Sequence, residues 1–496
     1  MAGPFVLAID QGTSSTKCLL VDATGAVVAR GAAPLGERHP RPGWVEQDAL
    51  EIWASVQAAV AACLVGQEPR AVAGIGFSTQ RESLVMWDRR SGAPLSPVIS
   101  WQDQRTGPVC DALRSAAAER LVRARSGLPL DPMFSASKAR WLLDELDPDR
   151  VRARSGELCL GTVDAWLLSR LGGEPVIEAG NASRTQLLDV RACAWDEDLL
   201  RLFGVPAAAL PRVVRSTGPF PAARGLAPLP DGVPVCAVMG DSHAALFAHG
   251  AFAPGPVKVT YGTGSSVMGL VAGADDLDPG VCLTVAWWID ERPALAAEGN
   301  IRSAGSTLRW VADLLAISTD ELAELAAGAE SEGVALVPGF NGLGAPWWDR
   351  DAVGLLAGFT LGTPRAAVAR AALESIPHQV ADVLEAVDRS RGGVRELFID
   401  GGPTRNPVLM QLQADLAGRP VWRARTAELS ALGCAHLAGL QAGFWDRERL
   451  AGLDRARDLF TPALPAERRD ARRAAWRRAV ARARGQAVTA ATPPAA

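Results

Sequence analysis

Three short stretches constrain this chain most: AIDQGTSSTK (8–17), VTYGTGSS (259–266) and IDGGPTRN (399–406). Each is an apolar run that stops abruptly in glycine and small hydroxyl residues, the pattern of a strand entering a tight turn. Glycine lets backbone N–H groups converge on an anion, and Thr or Ser adds a hydroxyl donor. An acid beside such a turn, as at Asp10, can orient a divalent cation. Taken singly, each stretch is equally a plain hairpin turn. Three of them in order across two halves of one chain point to phosphate. Neither G-x-x-x-x-G-K-[ST] nor a G-x-G-x-x-G after a strand occurs, so P-loop and Rossmann sites are excluded.

The surrounding pattern repeats. PFVLAI (4–9) and KCLLVD (17–22) read as two strands of a hairpin, and ATGAVVARGAA (23–33) adds a turn and a third strand. WVEQDALEIWASVQAAV (44–60) has helical spacing, and VAGIGFSTQ (72–80) is a strand with a polar end. After residue 250 the plan recurs in PVKVTYGTGSSVMGLV (256–271) and RELFIDGGPTRN (395–406). The segment 363–387 reads as a long helix with Thr363 as N-cap, Pro364 at its first position and a kink at Pro377. NPVLMQLQADLAG (406–418) reads as a helix closed by Gly418. Strands and helices alternating in this way predict an α/β layered fold in two halves. The arginine-rich segment 466–486 reads as a solvated surface helix, and the residues after it as a disordered tail.

At 496 residues the chain exceeds one ordinary core, and 48% hydrophobic with 21% charged residues suits large globular domains. A net charge of -4 offers no global field for nucleic acid or an anionic membrane. The eight cysteines are scattered singly, without C-x-x-C, so neither zinc nor a disulfide framework is expected and they read as reduced core residues. MAGPFVLAID has no basic leader, and no uninterrupted apolar segment is long enough to span a bilayer. A cytoplasmic chain is the expectation.

VCAVMGDSHAALFAHG (235–250) interrupts an apolar run with Asp241 and His243. A buried carboxylate costs several kcal/mol unless paired. Asp241 is therefore either the N-cap of the helix that follows or a group that does chemistry. His243 reads as a local structural residue, and the other histidines are not at metal-ligand spacing. Arg81 and Glu82 are open to two readings, an exposed ion pair or ligand holders. Trp101 is either a core side chain or the wall of a site.

Taken together, these motifs resemble the FGGY carbohydrate kinases, with the glycerol kinases nearest among them. The resemblance runs from about residue 5 to about 445 and is carried by AIDQGTSSTK, GIGFSTQRES (74–83), VISWQDQRT (98–106), SGLPLDPMFSASKARWLLD (126–144), MGDSHAALF (239–247), AEGNIRSAGSTLRW (297–310) and VPGFNGLGAPWWD (337–349). It implies two ribonuclease-H-like α/β domains of the actin, sugar kinase and heat-shock ATPase superfamily with an interdomain catalytic cleft. The domains would span 1–248, for sugar or polyol and the first phosphate hairpin, and 249–460, for ATP. Residues 461–496 would be the surface helix and tail.

The resemblance also implies roles. Asp241 would be the catalytic base, and Arg81, Glu82, Trp101, Met133 and Ser242 would face the acceptor. Gly12, Thr13, Ser14, Thr263, Gly264, Gly305, Gly401, Gly402 and Asn406 would bind ATP, and Asp10 would hold Mg²⁺. Met133, Ser242 and Ser266 stand where glycerol kinases have tyrosine, glutamine and phenylalanine. Losing a hydroxyl, an amide and a ring changes a pocket's hydrogen bonds and volume, which implies an acceptor other than glycerol. The leading expectation is an ATP-dependent polyol or sugar kinase, with a pentulose or tetritol kinase as alternative and a non-catalytic regulator of the same fold as a remote one. A homo-oligomer, dimer or tetramer, with no nucleic-acid or membrane partner, completes the expectation.

Overall fold

The run FVLAIDQ forms strand β1 (Phe5–Gln11) and STKCLLVD forms β2 (Ser15–Asp22), each with most of its side chains buried. They belong to a computed structural model that describes residues 3–273, 275, 277–390 and 393–486. The expected tail at 487–496 lies outside the described residues. The chain divides into two compact units that interleave along the sequence.

The first unit runs to Phe252 and also takes in Cys282–Ala296 and Glu428–Asp454. Its main sheet adds β3 (Val27–Pro34), β4 (Val72–Thr79) and β5 (Val235–Gly240), in the order β5-β4-β1-β2-β3. β1, β2 and β3 are antiparallel neighbours, whereas β4 and β5 run parallel to β1. Gln11, Thr79 and Gly240 are in register, so the carboxyl ends of three strands open side by side. That edge is where parallel sheets present ligand-binding residues.

One helix covers this sheet at Ala49–Cys63, later than the periodicity alone suggests, because the Asp48 carboxylate caps it by accepting from the Leu50 and Glu51 N–H groups. Ile52, Val56, Ala59 and Val60 are its buried stripe. Gly31 of β3 allows the close approach, since a Cβ there would lie 2.3 Å from the Ala59 carbonyl. The helix Leu429–Gln441 belongs to this unit for the same kind of reason: Gly433 meets the Ala244 carbonyl, and Gly76 meets that of Cys434. These units cut the chain differently from a single division after residue 248.

The second unit comprises Ala253–Val281, Ala297–Ala427 and the chain from Arg455 onward. Its sheet holds β6 (Pro256–Tyr261), β7 (Ser265–Leu270), β8 (Ala294–Ile301), β9 (Glu396–Gly401), β10 (Val421–Ala424) and β11 (Arg457–Phe460). They run side by side in the order β8-β7-β6-β9-β10-β11. β6 and β7 form an antiparallel hairpin, and β9 lies parallel to β6.

The helix Arg365–Arg389 continues through Pro377 as one helix. Pro364, not Thr363, occupies its cap position; the Thr363 hydroxyl instead accepts from the Thr360 N–H. The helix Pro407–Ala417 is capped by Asn406 and closed by left-handed Gly418, as its sequence predicts.

The arginine-rich helix, Ala466–Ala483, is not a solvated surface element. It buries Arg473, Trp476, Ala479, Val480 and Ala483. Trp476 stacks on His378 at 5.0 Å and donates to Asp382 at 2.8 Å. Arg473 pairs with both Asp382 and Glu385. The basic side chains answer acids on the helix Arg365–Arg389, so charge that looks like a solvent face is spent inside the unit. All eight cysteines are free thiols. Among the described residues no helix is long and apolar enough to cross a membrane.

Candidate active site

The first phosphate turn is the tip of the β1–β2 hairpin. The Gly12 N–H donates to the Ser15 carbonyl at 3.0 Å, leaving Gly12 and Thr13 half-buried and Ser14 exposed. Asp10 faces Lys17 across the hairpin and Ser78 across the parallel pair. The Ser78 hydroxyl donates to Asp10 Oδ1 at 2.8 Å. Desolvation nonetheless pushes the Asp10 carboxyl up to about 6; Ser78 opposes the rise, the Asp241 charge adds to it, and Lys17 opposes it.

Asp241 follows directly from β5. It is the first residue of the helix Asp241–Ala248, and Gly240 takes the cap position with no side-chain cap. Asp241 is thus not the N-cap residue itself, though its carboxylate accepts from a first-turn donor, the Ser242 N–H, at 2.6 Å. Arg81 Nε stands 3.3 Å from Asp241 Oδ1, with the Arg81 side chain 5% exposed and that of Asp241 38% exposed. The arginine is a fixed, buried partner and the carboxylate is its open end. Gly240 makes this possible, because a Cβ there would come within 2.5 Å of Arg81 Cδ. Behind it, Arg81 Nη1 meets His243 Nε2 at 3.4 Å, and the same ring nitrogen meets the Thr284 hydroxyl. His243 is thus a buried support, as expected.

Arg81 and Glu82 are not an exposed ion pair with each other. Glu82 is buried and pairs with the fully buried Arg184, whose Nε lies 2.7 Å from its Oε1. Its backbone sits at φ +61°, a left-handed conformation that costs a non-glycine residue roughly 1–2 kcal/mol. Such strain held beside a buried ion pair is characteristic of a functional turn. Trp101 is not a core side chain either; it is half-buried, and its indole N–H donates to the Thr13 hydroxyl at 3.2 Å. Met133 is half-buried on a loop whose carbonyls at Pro132, Met133 and Phe134 all accept from Lys138 Nζ. Burial lowers that ammonium to about 8 against the pull of Asp103 and Glu82.

The remaining turns lie in the second unit. In the β6–β7 hairpin the Gly262 N–H donates to the Gly264 carbonyl, and the Thr263 carbonyl accepts from the N–H groups of Ala304 and Ser306. Gly305 donates to Gly262, so the tip and a helix start at Gly305 are laced together through backbone. Gly264, Gly305 and Gly401 each allow a backbone contact that a Cβ would occupy, at 2.3, 2.6 and 1.9 Å. Thr260, Ser265 and Thr307 carry buried hydroxyls with no hydrogen-bond partner among the described residues. Gly402 is exposed beyond β9. The Asn406 side-chain oxygen caps the next helix, accepting from the Val408 and Leu409 N–H groups. Ser266 is in this unit, donating to buried Glu298 and accepting from Lys258.

Sequence models of the FGGY family of carbohydrate kinases match this chain twice, the N-terminal domain over residues 5–248 and the C-terminal domain over 257–442. The chain belongs to the FGGY carbohydrate kinases. It is 43% identical to the apulose kinase of Pectobacterium atrosepticum, covering 98% of this chain and 99% of that one. It is 44% identical to the glycerol kinase of Aromatoleum aromaticum, covering 97% and 99%. Among solved structures, the Plasmodium falciparum glycerol kinase with ADP superposes with a TM-score of 0.89 at 27% identity, covering 97% of this chain and 98% of that chain. The xylulose kinase from Rhodospirillum rubrum does so at 0.84, also at 27% identity, covering 95% and 97%. The protein is an ATP-dependent carbohydrate kinase, a phosphotransferase with an alcohol group as acceptor, on the two-domain FGGY fold.

Within the kinase, Asp10, Ser78, Arg81 and Asp241 stand at or just beyond the carboxyl ends of β1, β4 and β5. Sequence reasoning passed over Gly240, Arg184 and Lys138. Lys138 carried a signal, being one of three lysines in a chain whose other basic residues are arginine. Arg184 carried none, because its partner lies 102 residues away.

Proposed function

We propose that the kinase phosphorylates a primary hydroxyl of a ketose or a polyol larger than glycerol. The observation that carries the phosphoryl transfer is the open Asp241 carboxylate beside the buried Arg81 guanidinium. In phosphoryl transfer the transition state is loose, and the protein's work is positioning and charge neutralisation. Asp241 accepts a hydrogen bond from the attacking hydroxyl and takes its proton late. Arg81 and Glu82 hold neighbouring hydroxyls, and Trp101, Met133 and Ser242 shape the rest of the acceptor site. The N-terminal domain, 1–248, then serves the acceptor and the first phosphate hairpin, and 249–460 serves ATP.

Gly12, Thr13 and Ser14 meet the terminal phosphates, and Thr263 and Gly264 the same chain of phosphates. Gly305 lines the nucleotide, with Gly401, Gly402 and Asn406 at its nucleoside end. The residues at Asp10 suit Mg²⁺. The Asp10 carboxylate and the Ser78 hydroxyl beside it are oxygen ligands of the kind a hard cation takes, and the carboxyl is raised partly by a second carboxylate that a cation would offset. Among the described residues no third acid, cysteine or histidine joins them, so phosphate oxygens would complete the ligand set. Bound there, Mg²⁺ supplies charge neutralisation at the transferring phosphate.

Apulose kinase and glycerol kinases stand at similar identity to this chain, so the acceptor rests on pocket residues. Met133 and Ser242 replace larger polar side chains of glycerol kinases, which favours the pentulose or tetritol reading over glycerol. A coupled ADP-release screen over glycerol, tetritols and pentuloses tests it. A ketose or larger polyol should give the highest kcat/KM; glycerol in first place would refute the substrate assignment.

A further inference from the structure

Thr13, at the tip of the first hairpin, is wired to the turn that carries Arg81 and Glu82 by a closed circuit of hydrogen bonds. The Trp101 indole Nε1–H donates to the Thr13 hydroxyl at 3.2 Å, and the Trp101 backbone N–H donates to Ser83 Oγ at 3.0 Å. Ser83 Oγ–H donates to Gln80 Oε1 at 2.8 Å. Gln80 Nε2 donates to Gln47 Oε1 at 2.9 Å, and Gln47 Nε2 returns to the Thr13 carbonyl at 2.6 Å. Gln47, Gln80 and Ser83 are all buried. A hairpin of this plan closes without such a circuit: the β6–β7 tip is held by backbone bonds among Gly262, Thr263, Gly264 and the start of the next helix. A fully satisfied buried polar network rigidifies the groups it joins.

We propose that this circuit is a positioning device that sets the Thr13 hydroxyl at a fixed distance from the residues holding the acceptor. The inference rests on the kinase reading above. Because the Thr13 oxygen already accepts from the indole, its own O–H is left to donate to a phosphate oxygen. Trp101 then works twice, as a wall toward the acceptor and as a strut toward the phosphate. Gln47, Gln80 and Ser83 are positioning residues, acting through Thr13 and the Arg81–Glu82 turn. Small displacements of reacting groups cost rate rather than binding.

Gln47→Leu removes the donor to the Thr13 carbonyl, and Trp101→Phe keeps an apolar ring while removing the indole N–H. Each is expected to lower kcat about tenfold while the acceptor KM stays within about twofold. The double variant should be no slower than the worse single one, because the circuit is already open. Losses that multiply overturn the proposal, as does a lowered melting temperature with kcat of the folded protein unchanged. If Gln47→Leu does not fold, Trp101→Phe alone decides between a fall in kcat, which supports the circuit, and wild-type kcat, which overturns it. A wild-type chain that phosphorylates no acceptor would instead end the kinase reading. The circuit is then judged by the indole N–H resonance that disappears in Trp101→Phe: faster solvent exchange in Gln47→Leu supports it, and unchanged exchange overturns it.

Discussion

The two glycine hairpins share a backbone plan and differ in chemistry. In each, an antiparallel pair, β1–β2 or β6–β7, is flanked on its first strand by a parallel neighbour, β4 or β9. One residue before the strand's end the first hairpin has Asp10 opposite Ser78, while the second has Thr260 opposite Asp400. Acid and hydroxyl have exchanged strands. The tips differ as well: a Cβ at Gly12 would lie 3.3 Å from the Ser15 carbonyl, whereas one at Gly264 would collide with the Ile301 carbonyl, and beside that tip one at Gly401 would collide with the Tyr261 carbonyl. The first hairpin gathers charge around an open tip, and the second gathers backbone at close quarters. One architecture therefore carries two arrangements, charge around a tip in the first unit and close backbone packing in the second.

The sharpest way to break this contrast is Asp241→Asn. The shape is kept and the proton acceptor is lost, so kcat should fall about 10³-fold with melting temperature and nucleotide affinity retained. Near-normal turnover in the ADP-release assay would remove Asp241 from the chemistry. Next comes Gly401→Ala. Its φ of +102° and the contact with Tyr261 together predict a loss of about 4 kcal/mol, read as a large drop in thermal stability.

Buried charge in the first unit should also show as pH dependence. Glu178 accepts from Gly180, Asn181 and Ser216, yet desolvation raises its carboxyl to about 7 from 4.5. The native state then binds more protons than the unfolded state between those values, so stability falls as pH rises from about 4.5 to about 7 and levels off above. The full loss is about 3 kcal/mol. Urea titrations at pH 5 and 8 should show that slope, and Glu178→Gln should flatten it; an unchanged slope would place the charge elsewhere. The smallest expected effect is Gly12→Ala, within about 1 kcal/mol, since its nearest neighbour leaves room. A loss matching that of Gly401→Ala would erase the difference between the two glycines.

Local signals were legible where one segment carries its own reason. Glycine and hydroxyl residues after apolar runs located both hairpins, Asn406 and Gly418 bounded their helix, and Asp10 and Asp241 stood out as acids at strand ends. Signals failed where the partner is distant. The arginines at 466–483 read as a solvent face because their acids, Asp382 and Glu385, lie about ninety positions earlier. Of the two readings of Arg81 and Glu82, the exposed ion pair fails because adjacency hides their partners, Asp241 and Arg184.

By itself the sequence determined the alternation of strands and turns and the family, because strand periodicity, glycine turns and motif residues are properties of contiguous chain. Only the tertiary structure decided which charges meet, which glycines are obligatory and how Thr13 is tied to the substrate turn. Those depend on register between strands far apart in sequence and on backbone distances of a few ångströms, which no contiguous stretch of residues encodes.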